Sequence, residues 1–472
     1  MIAAQDFSEG LHNLSPRVSC TGSRLMAKAN RPSGKWAALA VVAMVAAACL
    51  PEGARLPQSS LLPFFEQKSG RIAFVGNDGN IHTTDQGGVQ QADLTSDARN
   101  VPDAAGRLVR YDLPTWSPVD RRLAFLKLIA VQGGALTSSV MVAPEDGGEL
   151  IEVYHSETEA PIYIYWAPDG ERIGFLTGGV GGDLLALRVA MASGGDARVI
   201  DTGRPYYWAW SPGDQSIFAH VGGTAFANPG QARLTFLGLD GTITQVGLGI
   251  EPGLFQAPAY SPDGQSLLFV SALESGTQGL MLANPDGEVR TVLAEVPGAM
   301  AFAWAPVGNK LAYIASREPD QILPGDLYFL DLSDPDHPVQ IPTQAHGVVS
   351  FSWAPDGRRV AYLVPVIFTP PGTEARSDTS INEILLSLYV ADSEDGSTRL
   401  LWTFRPSQEM LQIIPFFDQY QRSATIWSPD GNYLVVSALF ASQGEGIFLV
   451  SSREGLEPRF LVGGRLAFWS WK

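Results

Sequence analysis

The sequence predicts an all-β chain folded as a single β-propeller of four-stranded blades, and three observations carry the prediction. A short aromatic-Ser/Ala-Pro motif recurs seven times, three strand-like runs follow nearly every copy, and the two ends of the array are complementary parts of one more unit. Composition agrees. Gly 49 and Pro 33 in 472 residues make about 17 % against a usual figure of roughly 12 %, and with 11 Trp they indicate many turns between short strands rather than a helical bundle. With 45 % apolar and 17 % charged residues, the chain has material for a core and too little charge for disorder.

Taken from the N-terminus, the first element is an address. Trp36 to Ala48, WAALAVVAMVAAA, is uncharged and apolar and follows Lys28, Arg31 and Lys35. A membrane-spanning helix needs about 20 apolar residues, so this shorter run fits the core of a signal peptide. Met26 opens MAKANRPSGK directly before it and is expected to be the true start, because Asp6 and Glu9 sit awkwardly ahead of a basic leader. The run VAAAC at 45–49 resembles a bacterial lipoprotein lipobox, with Ala46 where that pattern usually has Leu. The resemblance implies that Cys49 is lipidated and becomes the mature N-terminus; the alternative is ordinary signal-peptidase cleavage with Cys49 an incidental thiol. The expected organisation is a signal region over 1–48, a lipid-anchored tether over 49–66 and a propeller domain over 67–472.

Charge and cysteine content exclude other classes. Lys+Arg 32 against Asp+Glu 49 gives −17; losing residues 1–48 removes five basic and two acidic residues, leaving 27 against 47, or −20. That charge repels polyphosphate, so no nucleic-acid partner is expected. Cys20 and Cys49 cannot by themselves make a disulfide framework or a structural zinc site.

The repeats begin at TWSPVD (115–120) and continue with YWAPDG (165–170), WSPGD (210–214), YSPDG (260–264), WAPVG (304–308), WAPDG (353–357) and WSPDG (427–431). Their aromatic residues are 50, 44, 50, 44, 49 and 74 residues apart. An alternating run such as Phe351-Ser-Trp353 leads into each copy, as a strand does, and Pro-Asp-Gly then supplies the turn. A second strand follows at once (RRLAFLKL, QSLLFVS, RRVAYLV), then a third (GLMLANPDG, SLYVADSEDG) ending in a hairpin signal, then a fourth (EVRTVLA, TRLLWTF). Four strands in 44–50 residues is the signature of a blade. The array opens at 71–94 with second, third and fourth strands only, and closes with RLAFWSWK (465–472), a lone leading strand. Joined, they make an eighth blade, with seven in all if one degenerate repeat is not a blade. Ring closure removes the sheet edges that an open array exposes.

These WSPDG-headed repeats resemble the WD-like propeller repeats of the TolB family and of the N-terminal propeller in prolyl-oligopeptidase-type enzymes, over about residues 70–472. The resemblance implies the architecture and, for the TolB side, a periplasmic protein-binding platform. TolB-like proteins carry an N-terminal α/β domain for which the roughly 20 residues between Cys49 and the first strand leave no room. The peptidases carry a G-x-S-x-G elbow, and the sequence has none.

Candidate site residues follow from propeller geometry. With strands A to D running from axis to rim, A–B and C–D turns share one face, which carries the WSPDG motifs, and B–C and D–A loops share the other. The long 74-residue interval holds two insertions expected on that second face: a B–C loop at 368–382 and a D–A connection at 405–425. The latter supplies Phe416, Phe417, Asp418, Tyr420 and Arg422, an apolar-aromatic segment with embedded charges, as recognition surfaces tend to have. Neighbouring connections add Tyr163, Tyr165, Arg204, Tyr206, Tyr207, Glu251, Phe255 and His346, which together read as an aromatic mouth for a peptide or glycan, or as packing residues between blades. The six histidines are scattered and the Asp-Gly turns lack the alternating acids of a calcium loop, so no metal and no cofactor is expected. The expected function is an exported, membrane-anchored, non-enzymatic binding or scaffold module facing the periplasm or cell exterior, monomeric, with a cell-envelope protein, peptide or glycan as partner. The alternative is a propeller lyase or hydrolase acting on carbohydrate or peptide through loop residues near the axis.

Overall fold

The computed structural model describes residues 67–472 apart from 135, 180–183, 223–231, 241, 246–249, 255, 319–323, 369–382, 441–443 and 454. The expected signal region and tether, Cys49 and Phe255 lie outside the described residues, as does nearly all of the 368–382 insertion.

The strands form five four-stranded antiparallel sheets and one of ten strands. Blade 1 shows the pattern: strand A Arg107–Trp116, B Arg122–Val131, C Leu136–Pro144 and D Ile151–Ser156, with the first motif turn joining A to B. Blades 2 to 5 repeat it behind their A strands Glu159–Trp166, Tyr206–Trp210, Ala259–Tyr260 and Met300–Trp304. The ten-stranded sheet is blades 6, 7 and 8 run together. Blade 6 begins at Ser350–Trp353, and the strand Arg459–Trp469 serves twice, pairing as strand D of blade 7 (Phe448↔Phe460) and then as strand A of blade 8 (Phe74↔Ala467). Blade 8 is completed by the first described strands, Ile72–Gly76, Ile81–Thr84 and Ala92–Asp93. Closure is therefore the expected one: the C-terminal strand pairs with the N-terminal blade, and the ring has eight blades.

The core is distributed between blades. Eight buried apolar clusters correspond to the eight blade-to-blade interfaces, including Ile72, Phe74, Val435 and Trp469 between blades 7 and 8, and Ile81, Tyr111, Phe125 and Phe468 between blades 8 and 1. Each fully buried phenylalanine, such as Phe218, Phe269 or Phe302, contributes about 1.5–3 kcal/mol.

A second, polar link runs around the ring. The indole N–H of a motif tryptophan donates to the carbonyl just before the motif aromatic of the preceding blade. Trp166 donates to Thr115 at 3.0 Å, Trp353 to Ala303 at 3.1 Å, Trp427 to Ser352 at 3.0 Å, Trp116 to Phe468 at 3.2 Å and Trp210, more loosely, to Tyr165 at 3.4 Å. Three positions break the series: Tyr260 has no N–H there, and the indole N–H groups of Trp304 and Trp469 are buried without a partner among the described residues.

The motif turns also touch one another. In each Asp-Gly turn the aspartate oxygen accepts the N–H two residues on, as Asp169 does from Glu171 at 2.7 Å, and the glycine adopts a left-handed φ. In WSPGD the last two residues are swapped, and Asp214 takes φ +55°, which aspartate tolerates better than most side chains. Gly357 has φ +66°, and a Cβ there would lie 2.6 Å from the carbonyl oxygen of Val307 in the preceding turn; Gly308 has φ +80° with open space around it. Gly308→Ala is therefore expected to cost about 1–2 kcal/mol of stability from backbone strain, and Gly357→Ala at least about 1 kcal/mol more. Denaturant midpoints at unchanged slope measure both; equal losses would contradict turn-to-turn contact between blades.

Candidate functional site

Strand A of blade 7 is not continuous. Arg405 and Pro406 pair with Leu439 and Ala438, and the Ser407 N–H donates to the Ser437 carbonyl at 3.1 Å. The chain then leaves the strand and returns only at 425–427, where the Ile426 carbonyl accepts from Val435 and Trp427 bridges to Leu434. The segment expected in the D–A connection is thus spliced into the strand lining the central channel, and it fills that channel. Ser407 starts its first helix, α1 (Gln408–Ile413), as an N-cap whose Oγ accepts from the Met410 N–H at 3.2 Å, with Glu409 in the first turn. A single 3₁₀ turn (Ile414–Phe416), with Pro415 near its start, leads into the helical turn α2 (Phe417–Tyr420).

The plug satisfies inner-strand backbone groups that face the channel. In blade 3 the Trp208 N–H donates to Gln419 Oε1 at 3.0 Å, and Gln419 Nε2 donates to the Trp208 carbonyl at 3.2 Å, so one side-chain amide stands in for a neighbouring strand. In blade 4 the Ala257 N–H donates to Asp418 Oδ2 at 2.8 Å, and Arg422 Nη2 approaches the Ala257 carbonyl at 3.4 Å. In blade 2 the Tyr420 hydroxyl donates to the Ile162 carbonyl at 3.1 Å, and the Tyr163 hydroxyl to the Gln419 carbonyl at 2.8 Å. Phe417 is buried edge-on to Phe351 of blade 6, ring centroids 5.3 Å apart. Toward blades 6–8 the fit is looser, leaving a cavity of about 90 Å³ lined by Met410, Ile413, Phe351 and Phe468 among others.

On the motif-face side of the plug the channel opens into a funnel with two adjoining chambers, about 360 and 220 Å³. Tyr165, Arg422 and Trp471 line both. The plug contributes Gln421 and Thr425 to the larger chamber and Ser423 to the smaller, and motif residues make the walls, with Tyr260, Trp304 and Trp353 in the larger and Trp116 and Trp166 in the smaller. Six motif prolines, from Pro118 to Pro429, complete the rim. Among the described residues, Arg422 is the one charged residue in this lining. Its Nε is buried without a hydrogen-bond partner, as are Trp304 Nε1 and Gln421 Nε2. The chemistry offered is recognition: planar apolar walls and surplus N–H donors.

The other expected residues are dispersed. Tyr206 is buried and donates to Asp201 Oδ2 at 2.8 Å; Tyr207 is half-buried, its phenol held protonated first by burial and then by the nearby Asp418 charge. His346 is exposed and pairs through Nδ1 with Asp326 at 2.8 Å. Arg204 and Glu251 are exposed on the connections into blades 3 and 4, and Phe416 is half exposed. The structure gathers Tyr163, Tyr207, Phe417, Asp418, Tyr420 and Arg422 around the plug, and His346, Asp418, Tyr206 and Glu251 share no chamber. The funnel walls were missed because the motif aromatics and prolines read as structural. Tyr165 carried a partial signal: the corresponding residues Ala209, Ala259, Ala303 and Ser352 are small, although Ile426 and Phe468 at the same position are not.

Asp418 is the titrating element of the plug. Burial pushes its carboxyl up to about 6, although the Ala257 N–H and the Arg422 charge favour the ionised form. Between its ordinary value near 3.8 and about 6 the folded protein binds a proton that the unfolded chain has released, so Asp418 makes stability fall as pH rises across that window and level off above it. The change is on the order of 3 kcal/mol. Asp418→Asn is expected to remove this slope when denaturation is followed between about pH 4 and pH 7; an unchanged slope would place the carboxyl in contact with water.

No family model and no curated protein sequence matches this chain. Among solved structures, it is similar to a putative TolB from Agrobacterium tumefaciens, at 15 % identity over 72 % of this chain and 90 % of that one, with a TM-score of 0.33. A TolB from Acinetobacter baumannii matches at 13 % identity over 80 % and 89 %, TM-score 0.34. A eukaryotic initiation factor matches at 11 % identity over 86 % and 98 %, TM-score 0.44. The eight-blade architecture itself rests on this chain's own strand register.

Proposed function

We propose that this protein is an exported, membrane-tethered binding module that holds a protein or peptide of the cell envelope at its motif-face funnel, without covalent chemistry. The observation that carries the reading is the funnel, an axial chamber of aromatic and proline walls whose single charged lining residue is Arg422. Aromatic anchors around a desolvated centre are the usual source of binding energy at protein interfaces. The plug supports the same reading, because it gives the chamber a fixed floor and presents Gln421 and Arg422 to whatever enters.

Export and tethering rest on the sequence: the basic leader, the 13-residue apolar run and Cys49 directly after Ala48. Among the described residues no helix is long and apolar enough to cross a membrane. A lipid on Cys49 would be the attachment, and the 17 residues 50–66 its tether.

Two measurements test the proposal. Cys49→Ser should move the protein from the membrane fraction to the soluble one; continued membrane association would remove the lipid anchor. Tyr165→Ala combined with Trp304→Ala widens the funnel without touching the plug's hydrogen bonds. Capture of envelope proteins by the purified domain should fall by about tenfold or more, as loss of aromatic anchors usually causes. Undiminished capture would relocate the binding surface.

A further inference from the structure

We infer that the funnel selects a carboxylate attached to an apolar ring, such as an aromatic residue carrying its free carboxylate at the end of a peptide. The inference rests on the binding role proposed above and specifies the ligand's chemistry.

Three observations point the same way. Among the described residues the funnel lining holds one cation, Arg422, and no acidic side chain, in a protein of net charge −17. A lone positive site walled by apolar rings favours a single negative charge, and low-dielectric walls strengthen that preference. The nearest counter-charge, Asp418, acts on Arg422 through space but lies outside the lining, its two oxygens accepting backbone N–H groups from Ala257 at 2.8 Å and from Gln419 at 3.0 Å, so the guanidinium keeps donors for a ligand.

The polar groups at the floor are also unbalanced toward donors. Arg422 Nε, Gln421 Nε2 and Trp304 Nε1 are each buried with no acceptor, although all three side chains line the larger chamber. Each N–H is shielded from solvent in the empty chamber, so an acceptor reaches it only as the side chain turns toward the ligand, and pairing then recovers the free energy that the unpaired N–H costs. A carboxylate is acceptor-only and matches a guanidinium edge in plane, which a hydroxyl or an amide does not.

Shape supplies the third constraint. The larger chamber, about 360 Å³, has room for a ring and a carboxylate together, and Tyr260, Trp304 and Pro306 give it flat apolar sides. A phosphate would bring up to about two negative charges to one guanidinium in dry surroundings, a poorer match than a carboxylate.

The test titrates the purified domain with N-acetyl-phenylalanine, N-acetyl-phenylalanine amide and phenyl phosphate, following tryptophan fluorescence. The carboxylate is expected to bind about tenfold or more tightly than the amide, and more tightly than the phosphate. Arg422→Gln should erase the carboxylate-over-amide preference. Because Arg422 also ties the plug to the Ala257 carbonyl, Trp304→Phe provides a second variant that removes an unpaired donor while keeping an aromatic ring against the blade 4–5 core; with the fold checked by an unchanged denaturation midpoint, it should weaken the carboxylate several-fold and leave the amide unchanged. Equal binding of carboxylate and amide, tighter binding of the phosphate, or no binding of the carboxylate at about 10 mM would each overturn the inference. Funnel-dependent capture of envelope proteins with no carboxylate preference would overturn it while leaving the binding role standing.

Discussion

A propeller's innermost strands have no neighbour on the axial side, and that open edge governs the centre of this molecule. Backbone N–H and C=O groups facing a channel must find water or a partner. Here blades 2, 3 and 4 find it in one inserted segment, whose Gln419, Asp418, Tyr420 and Arg422 side chains reach Trp208, Ala257 and Ile162. Inserting the segment inside strand A of blade 7, rather than in a rim loop, delivers it to the axis at the level of those edges. The funnel exists because the plug stops partway, leaving the motif face open above Gln421 and Arg422.

Around this centre the ring is held by two different kinds of contact. Apolar clusters at every blade interface supply most of the free energy but would tolerate some sliding. The indole bonds between successive motifs, together with the turn contacts at Gly357 and Gly170, fix the rotation of one blade against the next. The ladder is interrupted at Tyr260, Trp304 and Trp469, and two of these, Tyr260 and Trp304, line the larger funnel chamber. The interrupted part of the ring and the chamber walls therefore coincide, and there the Trp304 indole N–H is not spent on the neighbouring blade.

Much of the architecture was legible in the sequence because each blade repeats one local solution. The motif spacing, the period-2 runs and the mismatched ends at 71–94 and 465–472 contain the blade count and the closure, since both follow from pairing between near neighbours in a regular series. The plug was not legible in the same way. Its hydrogen-bond partners in blades 2, 3 and 4 lie more than 150 residues away in sequence, and a Gln side chain substituting for a strand leaves no periodic trace. The 74-residue interval located the anomaly but not its direction, and the aromatic-acidic composition of 405–425 fits a surface loop as well as a buried one. Of the expected site residues, Tyr165 and Arg422 reach the funnel, while Tyr163, Phe417 and Asp418 hold the plug in place.

The central claim is that residues 408–424 are seated in the channel as part of the ring. Amide hydrogen exchange at Trp208 and Ala257 in the intact protein tests it most directly, because the partners of these N–H groups are the Gln419 and Asp418 side chains rather than another strand. A seated plug predicts exchange as slow as that of paired residues such as Phe218 and Phe269 in the adjacent strands. Exchange at the rate of an exposed loop would show the inner edges open to water and contradict the account.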